Sequence, residues 1–254
     1  MDQKQNLYEK VKFVIGDNFI TIEETGRLTD QELCQLTDLL VSDKDIQQED
    51  NLTILVNSAR SAEVEKYLES CQFKFHDERI FVRFDLSRMG DEAAVFTMKS
   101  LREVSVAHFK DVWQRSMEGS LNAAPYLSMD EQIESVKKEL GSSYIDTCNV
   151  AYENKKAIGV VMPHIEPGTE NEGRMFYFGL VPEARGQGKG SVLYRQGLDM
   201  LKKEFGALYS VGATSVNNHP MLSILQRNGC EVTETIKLFK RSNRGGFDDS
   251  SHHN

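Results

Sequence analysis

The stretch Met175–Phe205, MFYFGLVPEARGQGKGSVLYRQGLDMLKKEF, constrains the fold more than any other part of the chain, because it runs strand, glycine-rich turn, helix. From Met175 to Val181 apolar residues fill both alternating positions. Phe176, Phe178 and Leu180 share one side and Met175, Tyr177 and Val181 the other, the pattern of a central strand covered on both faces. Pro182 cannot donate to a sheet ladder and marks the strand's end. Gly186, Gly188 and Gly190 alternate through the turn, and Leu193, Gly197, Leu201 and Phe205 then recur every fourth residue up to a helix stop at Gly206.

A helix start carries unpaired N–H groups and the positive end of the dipole, which sequences usually answer with Asp or Glu in the first turn. This loop offers Arg185 and Lys189 instead, with Glu183 the nearest acid. The completing negative charge is therefore expected from outside, as a phosphate that backbone without Cβ atoms can cradle. A tight surface turn whose glycines serve geometry alone is the competing reading. Spacing rejects two familiar phosphate loops. A P-loop requires Gly where Glu183 stands and Ser or Thr where Gly190 stands, and a dinucleotide fingerprint requires Gly where Ser191 stands.

What fits is RxxGxG after a Val/Leu-x-Pro strand end, given by Leu180, Val181, Pro182, Arg185, Gly188 and Gly190. In this arrangement the stretch resembles the acetyl-CoA pyrophosphate loop of the GNAT N-acetyltransferase superfamily. The flanking pattern agrees with that resemblance. Ala93–Met98 reads as a strand, Ser100 with Glu103 and Ser128 with Glu131 read as capping boxes of two helices ending near Met117 and Leu140, and Thr147–Tyr152 with Ala157–Met162 reads as a hairpin. After the loop come a strand from Leu208 to Ala213, a helix from Pro220 to Gln226 and a strand pair in Cys230–Phe239. The resemblance spans residues 92–242 and implies an α/β fold, a GNAT-like mixed central sheet flanked by helices.

Residues 1–88 carry a shorter version of the same order. Thr29 and Glu32 form a capping box for a helix to Val41, Asn51–Asn57 is a buried strand, Ser61 can cap a helix to Ser70, and Phe73–Leu86 reads as a hairpin-like strand pair. Val64, Leu68 and Phe73 echo Met221, Leu225 and Cys230, so this smaller α/β region resembles half a GNAT fold without a glycine loop; an unrelated α/β extension is the alternative. Asp85–Asp91 is the candidate boundary, and Ser242–Asn254 is read as a disordered tail whose His252, His253, Asp248 and Asp249 hold no fixed metal geometry.

The resemblance implies acetyl-CoA as cosubstrate, with Arg185, Gly186, Gln187, Gly188, Lys189 and Gly190 around its pyrophosphate. It implies a pantetheine arm along Phe178, Gly179 and Leu180, met also by Asn218, and a backbone N–H near Leu180 on the thioester oxygen as a catalytic oxyanion donor. Several positions depart from the family. Leu225 stands where many members have a thiolate-protonating Tyr, Ala213 and Arg174 stand where some have a Glu. A base is therefore sought in the loop 164–173, with Glu170 and Glu172 the leading candidates beside Glu166 and His164. Tyr126 lines the acceptor site by analogy.

The implied function is N-acetyl transfer from acetyl-CoA to a primary amine, on a small molecule or a peptide, by direct attack and without a metal. A noncatalytic acyl-CoA-binding or sensing module is the alternative. The net charge of -9 over 254 residues argues against nonspecific nucleic-acid binding, and no apolar run approaches the length of a membrane span. Cytoplasm is the default location. Cys34, Cys71, Cys148 and Cys230 lie far apart without a CxxC pair, which fits buried thiols better than a zinc module or a disulfide framework.

Overall fold

The computed structural model describes residues 3–16, 18–90, 93–121 and 127–243. In chain order the elements are α1 (Gln3–Tyr8), β1 (Lys12–Gly16), β2 (Phe19–Glu23), α2 (Asp30–Ser42), β3 (Asn51–Asn57), α3 (Ala62–Ser70), β4 (Lys74–Asp85), β5 (Thr97–Ser100) and α4 (Val106–Met117). They continue as α5 (Met129–Leu140), α6 (Tyr144–Thr147), β6 (Asn149–Glu153), β7 (Lys156–Ile165), β8 (Glu172–Leu180), α7 (Lys189–Lys203), β9 (Tyr209–Ser215), α8 (His219–Arg227) and β10 (Glu231–Ser242). No helix among the described residues is long and apolar enough to cross a membrane.

The chain divides into two compact units. One holds the described residues up to Phe81 together with those from Glu234 on, and the other holds Val82–Thr233. The division falls inside β4 and β10 rather than in the polar stretch 85–91. Strand order is β1-β2-β3-β10-β4 in the first unit and β4-β9-β8-β7-β6-β5 in the second. In the first, β2 runs parallel to β3 and β10 antiparallel to it. Leu33, Leu36 and Leu40 of α2 and Val64 and Leu68 of α3 are buried in a core closed by Phe239, because the i, i+3, i+4, i+7 spacing puts them on one face of each helix. In the second, β8 runs antiparallel to β7 and parallel to β9. Gly197 is where α7 meets the sheet, since a Cβ there would stand 2.7 Å from Met175 Cε and 3.0 Å from Val161 Cγ1.

Local chemistry explains most boundaries. Both bonds of the capping boxes at Thr29/Glu32 and Ser128/Glu131 are present. The hairpin β6–β7 turns through Asn154 and Lys155, both left-handed at φ 50° and 66°, as a two-residue primed turn requires. Three expectations are corrected. Ser100 does not cap α4; the helix starts at Val106, with Ser105 Oγ accepting from the His108 N–H at 3.2 Å, and the strand before it covers only Thr97–Ser100. Phe73–Leu86 and Cys230–Phe239 are not strand pairs but single strands of 12 residues each, since neither stretch contains a Gly, Pro or Asn to turn the chain after its first residues. Ser61 precedes α3 but does not cap it, its hydroxyl donating to Asp30 Oδ2 at 2.8 Å. Of the cysteines, Cys148 is buried, which pushes its thiol up to about 12, while Cys34, Cys71 and Cys230 are half-buried and all four are free.

Candidate functional site

Strict alternation fails in β8, and the failure shapes the site. Val161 of β7 lies opposite Phe178 and Pro163 opposite Met175, so three steps on β8 answer two on β7: a β-bulge. Met175 and Phe178 therefore both face α7, the first against Gly197 and the second with its ring 5.4 Å from that of Tyr194, while Tyr177 faces α4 with its ring 5.7 Å from Trp113. A bulge bends and twists its strand. Pairing of β8 with β9 accordingly covers only Glu172/Tyr209 and Gly173/Ser210, and beyond those residues the two strands part.

A cavity of about 270 Å³ occupies the gap, lined by Phe176, Phe178, Ala213, Thr214, Met221 and Leu225 among others. The Val181 N–H donates to Ile158 O at 3.0 Å. Because antiparallel partners alternate between bonded and non-bonded pairs, the backbone groups of Phe178 and Leu180 face away from β7, toward the gap. Phe178 and Met221 also line a groove of about 410 Å³ that runs past Gly179 and Leu180 to Gly186, Gly188 and Gly190 and reaches Asn218.

The groove ends on the start of α7. Gly186 and Gly188 are left-handed at φ 72° and 76°, and a Cβ on either would meet nothing within 4 Å, so backbone conformation rather than space selects glycine. Gly190 is a glycine for space, as its Cβ would stand 2.9 Å from Ile224 Cδ1. Gly188 is the N-cap, no side chain caps the helix, and its first turn holds no acid. The N–H groups and dipole at this end remain available to an anion.

The loop's cations are committed to the protein. Arg185 donates from Nε to Leu180 O at 2.9 Å, from Nη1 to Glu118 O at 2.7 Å and from Nη2 to Ser116 O at 3.1 Å. It clamps the loop to carbonyls at the C-terminal end of α4, where a cation also suits the dipole. Lys189 pairs with Glu153 at 2.6 Å, and Gln187 donates to Glu183 O at 3.0 Å. Asn218 caps α8, accepting from the Met221 N–H at 3.3 Å. Gly179 is explained from within the chain as well. A Cβ there would stand 2.8 Å from the Tyr177 ring, whose hydroxyl donates to Ser116 O at 2.9 Å and whose burial pushes its pKa up to about 12.

The candidate bases are not brought to this loop. Glu172 begins β8 and Leu180 ends it, which over a strand of this length separates them by on the order of 25 Å. Glu172 accepts from Arg174 Nε at 2.7 Å and lies 3.4 Å from the Tyr209 hydroxyl, while Glu170 is exposed in the turn before β8. Glu166 Oε2 is 3.2 Å from Arg174 Nε and 3.7 Å from His164 Nε2. His164 is buried, and burial lowers its pKa. Tyr126 and the histidines of the tail lie outside the described residues. Sequence reasoning missed the bulge and the carbonyl clamp of Arg185; the clamp's only signal was an arginine five residues after the end of an apolar strand.

Comparison with known proteins agrees with this geometry. Residues 106–230 match the family model described as acetyltransferase (GNAT) family. No curated protein sequence matches the chain. A GCN5-related N-acetyltransferase from Sphaerobacter thermophilus superposes with a TM-score of 0.63 at 10% identity, covering 94% of this chain and 78% of that one. A tandem GNAT protein from the clavulanic acid biosynthesis pathway gives 0.59 at 12% identity, over 93% and 79%. A conserved protein of unknown function from Staphylococcus epidermidis gives 0.58 at 16% identity, over 94% and 97%. At these identities the likeness concerns the fold alone, and it is the family match that gives residues 106–230 as a GNAT acetyltransferase domain.

Proposed function

We propose that the second unit transfers acetyl from acetyl-CoA to a primary amine by direct attack. The observation that carries the reading is the open start of α7 at the mouth of the gap between β8 and β9. The helix has neither a side-chain cap nor an acid in its first turn, and the groove from it leads to the backbone groups of Phe178 and Leu180. An anion on α7 would leave a flexible arm alongside those groups, as a strand adds to a sheet edge. In the transfer the amine nitrogen bonds to the thioester carbon, the carbon–sulfur bond breaks, the amine gives up a proton and the thiolate takes one. The Leu180 N–H is the oxyanion donor in this reading.

Glu170 and Glu172 stand a strand's length from the glycine loop, so a base among them acts through water or the amine arrives already neutral. The second reading, a noncatalytic acyl-CoA-binding module, draws its support from Leu225, buried where a proton donor for the thiolate is expected. The test follows CoA release over a panel of small-molecule and peptide amines. Amine-dependent release with a sequential kinetic pattern is expected. Acetyl-CoA binding with no release above hydrolysis for any amine assigns the binding-module reading instead.

A further inference from the structure

Among the described residues three hydroxyls line the cavity of about 270 Å³ in the gap between β8 and β9, those of Tyr177, Tyr194 and Thr214. Two are committed to the protein. Tyr177 donates to Ser116 O at 2.9 Å, and the buried Tyr194 hydroxyl is hydrogen-bonded with Ser210 and Cys230. Thr214 is only 6% exposed, yet its Oγ1 has no hydrogen-bond partner among the described residues. The other lining residues, all Met, Phe, Val, Gly, Ala or Leu, carry no side-chain N–H or O–H.

Ser210, Gly212 and Thr214 alternate onto one face of β9. That face meets α7, since a Cβ on Gly212 would stand 3.9 Å from the Tyr194 hydroxyl oxygen. Leu225 reaches the same cavity from α8 and is buried. The position at which a donor to sulfur is expected is thus apolar, while a donor without an acceptor lies in the strand wall of the same cavity. An unpaired buried hydroxyl costs stability, and a partner that arrives with the substrate accounts for it.

We propose that the Thr214 hydroxyl is the donor to the departing sulfur of the acyl thioester. The inference rests on the acetyl-transfer reading above and supplies the contact that Leu225 lacks. In that reading the charge on the thioester oxygen is met from β8 by the Leu180 N–H, which leaves the sulfur unanswered. Phe176, Phe178, Met221 and Leu225 make the surrounding wall apolar, and a thiolate formed there without a donor is costly. As the amine nitrogen bonds to the carbonyl carbon, the electron pair of the carbon–sulfur bond passes to sulfur and the Thr214 O–H donates to it. Thr214 keeps its proton. The amine releases a proton to water, and the thiolate takes one from water as the thiol product leaves.

The test follows the ionisation of bound CoA by the ultraviolet absorbance of its thiolate, in the full chain and in Thr214→Val and Thr214→Ser. Desulfo-CoA is the control ligand that lacks the sulfur. Hydrogen bonding to the charged form lowers a pKa. The thiol of CoA bound to the wild type is expected to ionise about one pH unit lower than in Thr214→Val, which is about tenfold in affinity for the thiolate form. Thr214→Ser keeps the donor and should resemble the wild type, and desulfo-CoA should bind all three alike. Without ligand Thr214→Val should melt higher than the wild type, because it removes an unpaired buried hydroxyl at nearly constant shape. Equal thiol ionisation in the wild type and Thr214→Val, an equal loss of CoA and desulfo-CoA binding in Thr214→Val, or a lower melting temperature of that variant overturns the assignment while the acyl-CoA reading stands. If neither ligand binds the wild type, it is that reading which fails.

Discussion

In the first unit β2, a 3-10 turn at Thr25–Arg27, α2, β3, α3 and β4 come in that order, and in the second β8, a 3-10 turn at Pro182–Ala184, α7, β9, α8 and β10 do the same, the first series having one further 3-10 turn, Ile46–Gln48, between α2 and β3. The last three elements have 7, 9 and 12 residues in both series. Yet α2 begins closed. Thr29 accepts from the Glu32 N–H at 3.2 Å, Glu32 accepts from the Thr29 N–H at 2.8 Å, and Asp30 and Glu32 place two acids in the first turn. Lys10, 2.5 Å from Glu32, holds that carboxyl down at about 2. The parallel ladder beside it also stays shut, with β2 paired to β3 from Phe19/Asn51 to Ile22/Ile54, one residue short of the strand's end. In the second unit the cap is missing and the ladder stops after two pairs. The shared order of elements thus makes no site by itself; the N-cap residue and the length of one ladder decide it.

That comparison can be broken at three places. Gly188→Asp gives α7 the carboxylate that α2 has. It should lower acetyl-CoA affinity at least about hundredfold, since two charge-assisted bonds at about 1.5 kcal/mol each are lost, and circular dichroism should be unchanged. Wild-type affinity in a folded Gly188→Asp protein would mean that the open helix start is not where the anion binds. Arg185→Lys replaces a three-way clamp by one ammonium and should cost about 1–3 kcal/mol of stability, read by denaturant unfolding, with weaker acetyl-CoA binding alongside. Unchanged stability would remove the clamp from the account. Thr29→Ala should cost about 1 kcal/mol and leave the acetyl-CoA-induced rise in melting temperature as it is. A change in that rise would give the first unit a part in ligand binding that its closed helix denies.

The glycine loop was legible because left-handed backbone and a missing acid leave marks in one short stretch. So were the capping boxes at Thr29/Glu32 and Ser128/Glu131, and the echo of Val64 and Leu68 in Met221 and Leu225, which are the third and seventh residues of α3 and α8. The likeness of α2 to α7 was not legible, since Thr29 and Gly188 open their helices with opposite chemistry. The bulge in β8 escaped because period-two reasoning assumes that each residue faces one partner. The five donors of Arg185 suit phosphate and carbonyl oxygens alike, and only tertiary structure brings Ser116 and Glu118 within reach.

The pairing of β3 with β10, from Asn51/Ser242 to Asn57/Ile236, joins residues far apart in the sequence, with the whole second unit between them. As the polypeptide leaves the ribosome, β3 must keep one edge bare until the whole second unit and then β10 have been made, and Phe239 reaches the first core equally late. Ladders of such sequence separation form slowly and leave strand edges open to wrong partners meanwhile. The unit that is translated first is therefore the one that finishes folding last, and a protein cut short before Glu234 would lack the strand that completes its beginning.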